Sequence, residues 1–365
     1  MKVYWLFNHP APYKVDLFNL LGQSIDLTVV FERASEGDRN ATFYSEKATG
    51  FKAHVCNSIK LGTLNSFTRE PLKILKSDQF DIVVINGWRM YAERVVIRYC
   101  RRHKIPYVFA INGGIVPAKD NFIKKYLKKK YIPGAKSYLA PDLRSGKYLT
   151  HYGADESKIH YFPYSTVFED QVLLAPYTKS QKEATKTKFR MVGSKTFISS
   201  GQLIERKNFS ELIDAWASLP RDYHLYIAGD GPLKESLLKQ IESLGLPNVH
   251  LMGYLNHKDM LTCFRGADSF VFLSKEDIYG HVINEAMSQG LPVVCPECVN
   301  AGSNLIKDGY NGYLVKLGDK EGIVKAIENS LDPKLADGAL ATARENTIEK
   351  TAEFHLRFFE EYLKQ

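Results

Sequence analysis

The stretch that most limits what this chain can fold into is residues 271–294, VFLSKEDIYGHVINEAMSQGLPVV. An apolar run at 270–273 meets an acidic turn, Glu276 and Asp277, and Gly280 then opens a helical pattern that carries Glu285 and stops at Gly290. Pro292 follows, then a second apolar run through Cys295. Short apolar runs joined through one helix read as neighbouring parallel strands of an α/β sheet. The acidic turn then lies at the carboxyl edge of its strand, where open parallel sheets take their ligands. Backbone N–H groups at 279–282 begin the helix without intrahelical partners and favour an anion. Acids beside such a turn suit a ligand with hydroxyls to grip and phosphates to cradle, as in a nucleotide sugar. The blander reading of the same residues is a buried helix with a solvated acidic loop.

The same unit recurs along the chain. A strand at 2–7 ends in a loop through His9, followed by an amphipathic helix (Val15, Leu17, Phe18, Leu20, Leu21) and a strand at 27–31. Strands at 81–85 and 106–111 end at Trp88 and Asn112, so three strand-end loops are expected to converge on one cleft. None carries G-x-G-x-x-G, which argues against a dinucleotide. Residues 169–194 lose apolar periodicity and fill with Lys, Thr and Gln. Strands then resume at 196–199, 224–228 and 249–252, and 347–365 form a last amphipathic helix. A chain of 365 residues exceeds one ordinary core. The expected organisation is a domain over 1–170, a linker over 171–195, a second domain over 196–346 and the tail helix.

Residues 277–293 resemble the E-x7-E signature of the retaining family 4 glycosyltransferases (glycosyl transferases group 1). That pattern is an acid, two residues, Gly, four residues, Glu-Ala, then a Gly-Pro-Val-type strand. It is met here by Asp277, Gly280, Glu285, Ala286, Gly290, Pro292 and Val293. The first acid departs from it: Asp277 is shorter than Glu, and Glu276 stands one residue earlier, so both are candidates. Gly201, Gln202 and Leu203, followed by Arg206 and Lys207, resemble the family's Gly-Arg-Leu strand end and basic pair, with Gln where Arg is common.

The resemblance implies the α/β GT-B fold: two Rossmann-like parallel-sheet domains facing a central cleft, the tail helix crossing back to the first. It also implies sugar transfer from a nucleoside diphosphate to a hydroxyl of a glycan or lipid-linked acceptor. Fixed cations at Arg206 and Lys207 suit that chemistry, because negative charge builds on the departing phosphate. Arg grips two oxygens while Lys acts as a point charge. Cations at a helix start are otherwise mildly unfavourable, which makes a purely structural pair a poorer explanation. By the same resemblance, Gly253, Tyr254 and Leu255 hold the base, Glu285 takes the ribose hydroxyls, and Asp277 or Glu276 takes the sugar. Gly280 with the N–H groups of His281 and Val282 takes phosphate. His9, Trp88 and Asn112 fall on the acceptor side, where Asn112, an amide, can orient but not act as a base. The chain lacks D-x-D, which agrees with a site without metal, and no cofactor is expected. Neither a P-loop nor G-x-S-x-G occurs.

Residues 1–175 carry 26 Lys and Arg against 16 Asp and Glu, while 176–365 carry 23 against 25, so the positive excess belongs to the first half. It concentrates at 119–136, where Lys124, Lys125, Lys128, Lys129 and Lys130 interleave with Phe122, Ile123, Tyr126, Leu127 and Tyr131. Three readings stand: a helix with its apolar side on the core, a face resting on anionic lipid, or a nucleic-acid patch, which lacks a recognisable binding fold. Five cysteines, an odd number in apolar contexts, point to a reducing, cytoplasmic compartment. No run approaches the ~20 apolar residues of a membrane span. Rival functions are an epimerase or a phosphorylase of the same fold, or a non-catalytic module binding a nucleotide sugar or nucleic acid. The phosphorylase's cofactor lysine and the epimerase's carboxylate–histidine set are not seen.

Overall fold

Runs such as KVYWLF at Lys2–Phe7 and DLTVVF at Asp26–Phe31, buried along nearly their whole length, are too apolar for a half-solvated sheet. They form parallel strands covered on both faces, as their composition requires. A computed structural model describes residues 1–35, 47–61, 65–117 and 119–365. Its chain forms two units, Met1–Ser165 with Ile348–Gln365, and Thr166–Thr347.

The first unit holds a seven-stranded sheet in the order Lys52–Val55, Asp26–Phe31, Lys2–Phe7, Ile82–Asn86, Val108–Ala110, Ser137–Ala140 and Ile159–Tyr161. Every pairing is parallel. Strand Lys2–Phe7 lies between the second strand on one side and Ile82–Asn86 on the other, so the strand order reverses there. The final helix, Ile348–Lys364, returns to this unit and packs on helix Pro12–Leu21. Trp5 joins them, its ring 5.1 Å from Phe18 and 6.0 Å from Phe359. The hydroxyl of Thr351 donates to the Pro163 carbonyl at 2.7 Å.

The second unit holds six parallel strands in the order Val249–Gly253, Tyr223–Ala228, Lys195–Ser200, Ser269–Val271, Val293–Pro296 and Gly312–Val315. Phe197, Trp216, Ile227, Val271 and Val294 lie in its core. Its order also reverses beside its first strand, between Lys195–Ser200 and Ser269–Val271. The span 171–195, read as a linker, builds a helix at Lys179–Phe189 that is part of this unit. Thr178 and Gln181 close a capping box at its start. Only Thr185 and Lys186 of its residues are buried, so no apolar stripe announces it. Among the described residues, no helix is long and apolar enough to cross a membrane.

Candidate functional site

At the reversal point of the second sheet, the loops leaving Lys195–Ser200 and Ser269–Val271 are tied together. The N–H of Lys275 donates to the Arg206 carbonyl at 2.8 Å, and the Ser274 hydroxyl donates to the same carbonyl at 3.0 Å. Arg206 and Lys207 sit in a short 3-10 turn, Glu205–Lys207, closed by Asn208 in the left-handed region. The ammonium of Lys207 pairs with the Asp277 carboxylate and lies 4.7 Å over the Phe272 ring. Arg206 reaches the same carboxylate at 3.7 Å and donates to the Glu276 carbonyl at 3.2 Å. Of the two candidate acids, Asp277 is the one seated on the basic pair. Glu276 has an exposed side chain and contributes its backbone. The side chains of Lys207 and Asp277 are only 11% and 18% exposed, so removing either leaves a poorly hydrated charge.

Gly280, at φ +103°, turns the chain into helix His281–Ser288, which has no side-chain cap. A Cβ at Gly280 would stand 2.9 Å from Val299 Cγ1, so only glycine fits the turn. His281 and Val282 are half-buried at the helix start, and the His281 ring lies 5.0 Å from that of Tyr279. One turn further on, Glu285 is largely buried. Its Oε1 accepts from the Thr166 hydroxyl at 2.8 Å and lies 3.6 Å from His257 Nε2. Burial alone would raise this carboxyl; the hydrogen bond and charge of His257, the Thr166 hydroxyl and nearby His281 instead hold it below its ordinary value. Thr166 and His257 escaped the sequence reading. Thr166 lies 119 residues from Glu285, and His257 follows the expected base-holding turn without any periodicity to mark it.

That turn, Gly253 to Leu255, is fixed by its backbone. The Gly229 N–H donates to the Gly253 carbonyl at 2.8 Å, and the Gly201 N–H to the Ala228 carbonyl at 3.0 Å. A Cβ at Gly229 would stand 1.9 Å from the Gly201 oxygen, so the turns pack edge to edge. Tyr254 is exposed and Leu255 half-buried. Gln202 is exposed beside buried Leu203.

In the first unit, Trp88 and Asn112 line a cavity of about 200 Å³ with Asn8, Arg33 and Tyr148. Trp88 Nε1 donates to the Tyr148 hydroxyl at 3.3 Å. Asn112 Oδ1 is buried and has no hydrogen-bond partner among the described residues. His9 is 7% exposed, and the cavity wall takes its neighbour Asn8 in its place.

The basic segment forms helix Phe122–Tyr131, and one expectation for it needs correcting. Lys128 does not belong to an exposed lysine face. It is buried, donates to the Tyr152 hydroxyl at 2.7 Å and pairs with Asp120 at 3.3 Å. The helical period puts Lys128 on the inner side with Tyr131, while Phe122, Ile123 and Tyr126 are 83%, 65% and 58% exposed beside Lys124, Lys125, Lys129 and Lys130. The apolar side of this helix is therefore largely in solvent, contrary to the reading that set it on the core.

Residues 180–352 match the family model described as Glycosyl transferases group 1. Among curated relatives, the lipopolysaccharide core biosynthesis glycosyltransferase LpsE of Rhizobium meliloti is 37% identical over 146 residues, which cover 38% of this chain and 42% of that protein. The N-acetylgalactosamine-N,N'-diacetylbacillosaminyl-diphospho-undecaprenol 4-alpha-N-acetylgalactosaminyltransferase of Campylobacter jejuni is 31% identical over 141 residues, 38% of each chain. The matches thus span about two fifths of these relatives' length. HepE of Anabaena, solved with UDP, is 18% identical and superimposes over 99% of this chain and 100% of its own with a TM-score of 0.78. The two parallel-sheet, Rossmann-like units are those of the GT-B fold.

Proposed function

We propose that this chain, whose residues 180–352 match the glycosyl transferases group 1 family model, is a retaining, metal-independent glycosyltransferase of family 4. It transfers a sugar from a nucleoside diphosphate to a hydroxyl of a glycan or lipid-linked acceptor. The observation that carries this reading is the cluster of Arg206, Lys207 and Asp277 tied to the loop that opens, uncapped, into helix His281–Ser288. A diphosphate satisfies both the basic pair and the helix start. When it arrives, Lys207 exchanges Asp277 for a phosphate oxygen, freeing the Asp277 carboxylate to accept hydroxyls of the sugar. Glu285, already held ionised by Thr166 and His257, accepts from the ribose. HepE, of like fold, was solved with UDP, which agrees with a nucleotide ligand.

In the reaction, the acceptor oxygen attacks the anomeric carbon from the face that the phosphate leaves. The carbon–oxygen bond to phosphate breaks with its electron pair on the phosphate, and that oxygen takes the acceptor's proton. Arg206 and Lys207 stabilise the charge that develops there. The relatives' names point to the assembly of bacterial surface polysaccharide on a lipid carrier. Exposed Phe122, Ile123 and Tyr126 among four solvated lysines fit a face resting on anionic lipid at the inner side of the membrane, each lysine contributing ~1 kcal/mol. A thermal-shift screen against UDP-, GDP- and ADP-linked sugars tests the donor site, since a bound donor raises the melting temperature. No shift with any donor at millimolar concentration would refute it.

A further inference from the structure

Two imidazoles meet at the edge of the second unit's sheet, and the functional reading uses neither. His224 lies on strand Tyr223–Ala228, and His250 lies on the edge strand Val249–Gly253 beside it. His224 Nδ1 and His250 Nε2 are 3.3 Å apart. The ring planes differ by 6° and the centroids are 5.6 Å apart, a spacing that the N···N contact and the two ring radii just fill. The rings are therefore coplanar and edge to edge, each aiming a nitrogen at the other, so that one N–H donates to the other ring's lone pair. The register explains the meeting. His250 stands opposite Tyr226, and His224 is two residues back on the same face of its strand. The Tyr226 ring stacks on His250, with centroids 4.6 Å and planes 18° apart. The cover over the pair fits as closely. Gly193, at φ +101°, presses on His224: a Cβ there would stand 2.3 Å from its Cδ2. The Tyr226 hydroxyl accepts from the Val192 N–H at 2.6 Å, and buried Lys186 donates to the Gly193 carbonyl at 3.1 Å.

Such a contact takes one extra proton and refuses a second. With one ring charged, the bridge becomes N–H⁺···N, a charge-assisted bond. With both charged, each facing nitrogen carries a hydrogen, no acceptor is left, and two like charges stand at contact distance. The surroundings divide in the same way. Asp222, two residues before His224, and the face of Tyr226 favour a charge. Lys186, itself paired with Glu183, opposes one on His224, and Cys263 beside Tyr226 is a neutral thiol. Burial, the largest influence, holds both imidazoles below their ordinary value. Folding is therefore unopposed above the unfolded imidazole's value and loses stability as pH falls below it. Val249–Gly253 has a sheet neighbour on one side only, so repulsion at His250 acts on the strand held least. We propose that His224 and His250 form an acid-opened latch. It fastens the edge strand, and the turn at its end, while the pair holds at most one extra proton, and it releases them when both rings are charged. The latch stands on this geometry alone; that its release weakens donor binding, through Gly253 to Leu255, rests on the function proposed above.

The test is hydrogen exchange, read by mass spectrometry on the full chain at about pH 7 and about pH 5 with times scaled for the intrinsic rate. An NMR titration of the histidine rings runs beside it. Protection of residues 249–255 is expected to fall about tenfold or more at the lower pH, while strand Lys195–Ser200 keeps its own. The two rings should titrate as a coupled pair, with midpoints about one pH unit or more apart. Gln in place of either imidazole still gives and takes a hydrogen bond but does not titrate. His224→Gln and His250→Gln should therefore each protect 249–255 equally at both pH values, and either variant alone assigns the pair's signals. Unchanged protection in wild type, a fall that persists in the Gln variants, or two independent ring titrations would each overturn the proposal. Melting shifts with UDP at the same two pH values keep the readings apart. A UDP shift without acid-sensitive protection defeats only the latch, and acid-sensitive protection without any UDP shift defeats only the donor site. Equal UDP shifts at both pH values, beside lost protection, would separate the latch from donor binding.

Discussion

Replacing Glu93 with Gln should stabilise the first unit, increasingly as pH rises from the unfolded carboxyl's range to neutrality. The carboxyl is raised from 4.5 to about 7 in the folded chain, chiefly by burial. Below the unfolded value both states hold the proton and the group is neutral in stability. As pH climbs from there the unfolded chain ionises first, and stability falls until the folded group ionises too near 7. At 1.36 kcal/mol per unit the loss levels off at about 3 kcal/mol above neutrality. Gln cannot ionise and keeps the acceptor for the Met90 N–H. For a unit of roughly 180 residues, that difference is about 6–12 °C in melting temperature. Melting followed by circular dichroism at about pH 5 and about pH 8 should show the variant close to wild type at the first and well above it at the second. A variant melting below wild type at the higher pH, or a gap equal at both, would refute the argument that burial raises the Glu93 carboxyl.

Lys207→Ala should lower transfer about 10²–10³-fold, the cost of losing one fixed donor to the leaving group, and should also lower the melting temperature because Asp277 is left poorly hydrated; near-wild-type rates in the folded variant would remove Lys207 from the site. Because Glu285 is held below the ordinary carboxylate range, its contribution is present above the unfolded value and lost only as pH falls through the folded one. His257→Ala should therefore move the acid limb of UDP binding, measured by calorimetry, to higher pH; an unmoved limb would contradict the pairing. Lys128→Met should lower the urea midpoint, because it removes the cation from Asp120 and leaves that carboxylate only the Tyr152 hydroxyl. Replacing Lys124, Lys125, Lys129 and Lys130 together should leave that stability intact and abolish flotation with anionic liposomes, and flotation that persists would end the membrane reading.

The parallel layers were legible because both sheets are written as short apolar runs punctuated by glycine turns, which only covered strands require. Residues 271–294 placed their strand, acidic turn and helix correctly, down to Gly280 as the turn residue. Helix Leu335–Arg344, packed on His281–Ser288, went unread, as did edge strand Lys52–Val55, whose residues are all exposed. Helix Lys179–Phe189 carries only Ala184 and Phe189 as apolar residues and reads as a tether until its capping box is seen. At 119–136 the lysines could be counted, but their sides could not. Lys128 shares the inner side with Tyr131, and what makes a lysine tolerable there is Asp120 and Tyr152, partners that the helical period does not name.

The central claim is that a diphosphate lies between the Arg206–Lys207 pair and the start of helix His281–Ser288. A crystal structure of the chain with UDP-glucose tests it most directly. The account predicts phosphate oxygens within hydrogen-bond reach of Lys207, Arg206 and the N–H groups of His281 and Val282, with Lys207 drawn off Asp277. A diphosphate seated elsewhere, or a saturated crystal in which Lys207 still grips Asp277 and the helix start is bare, would contradict it.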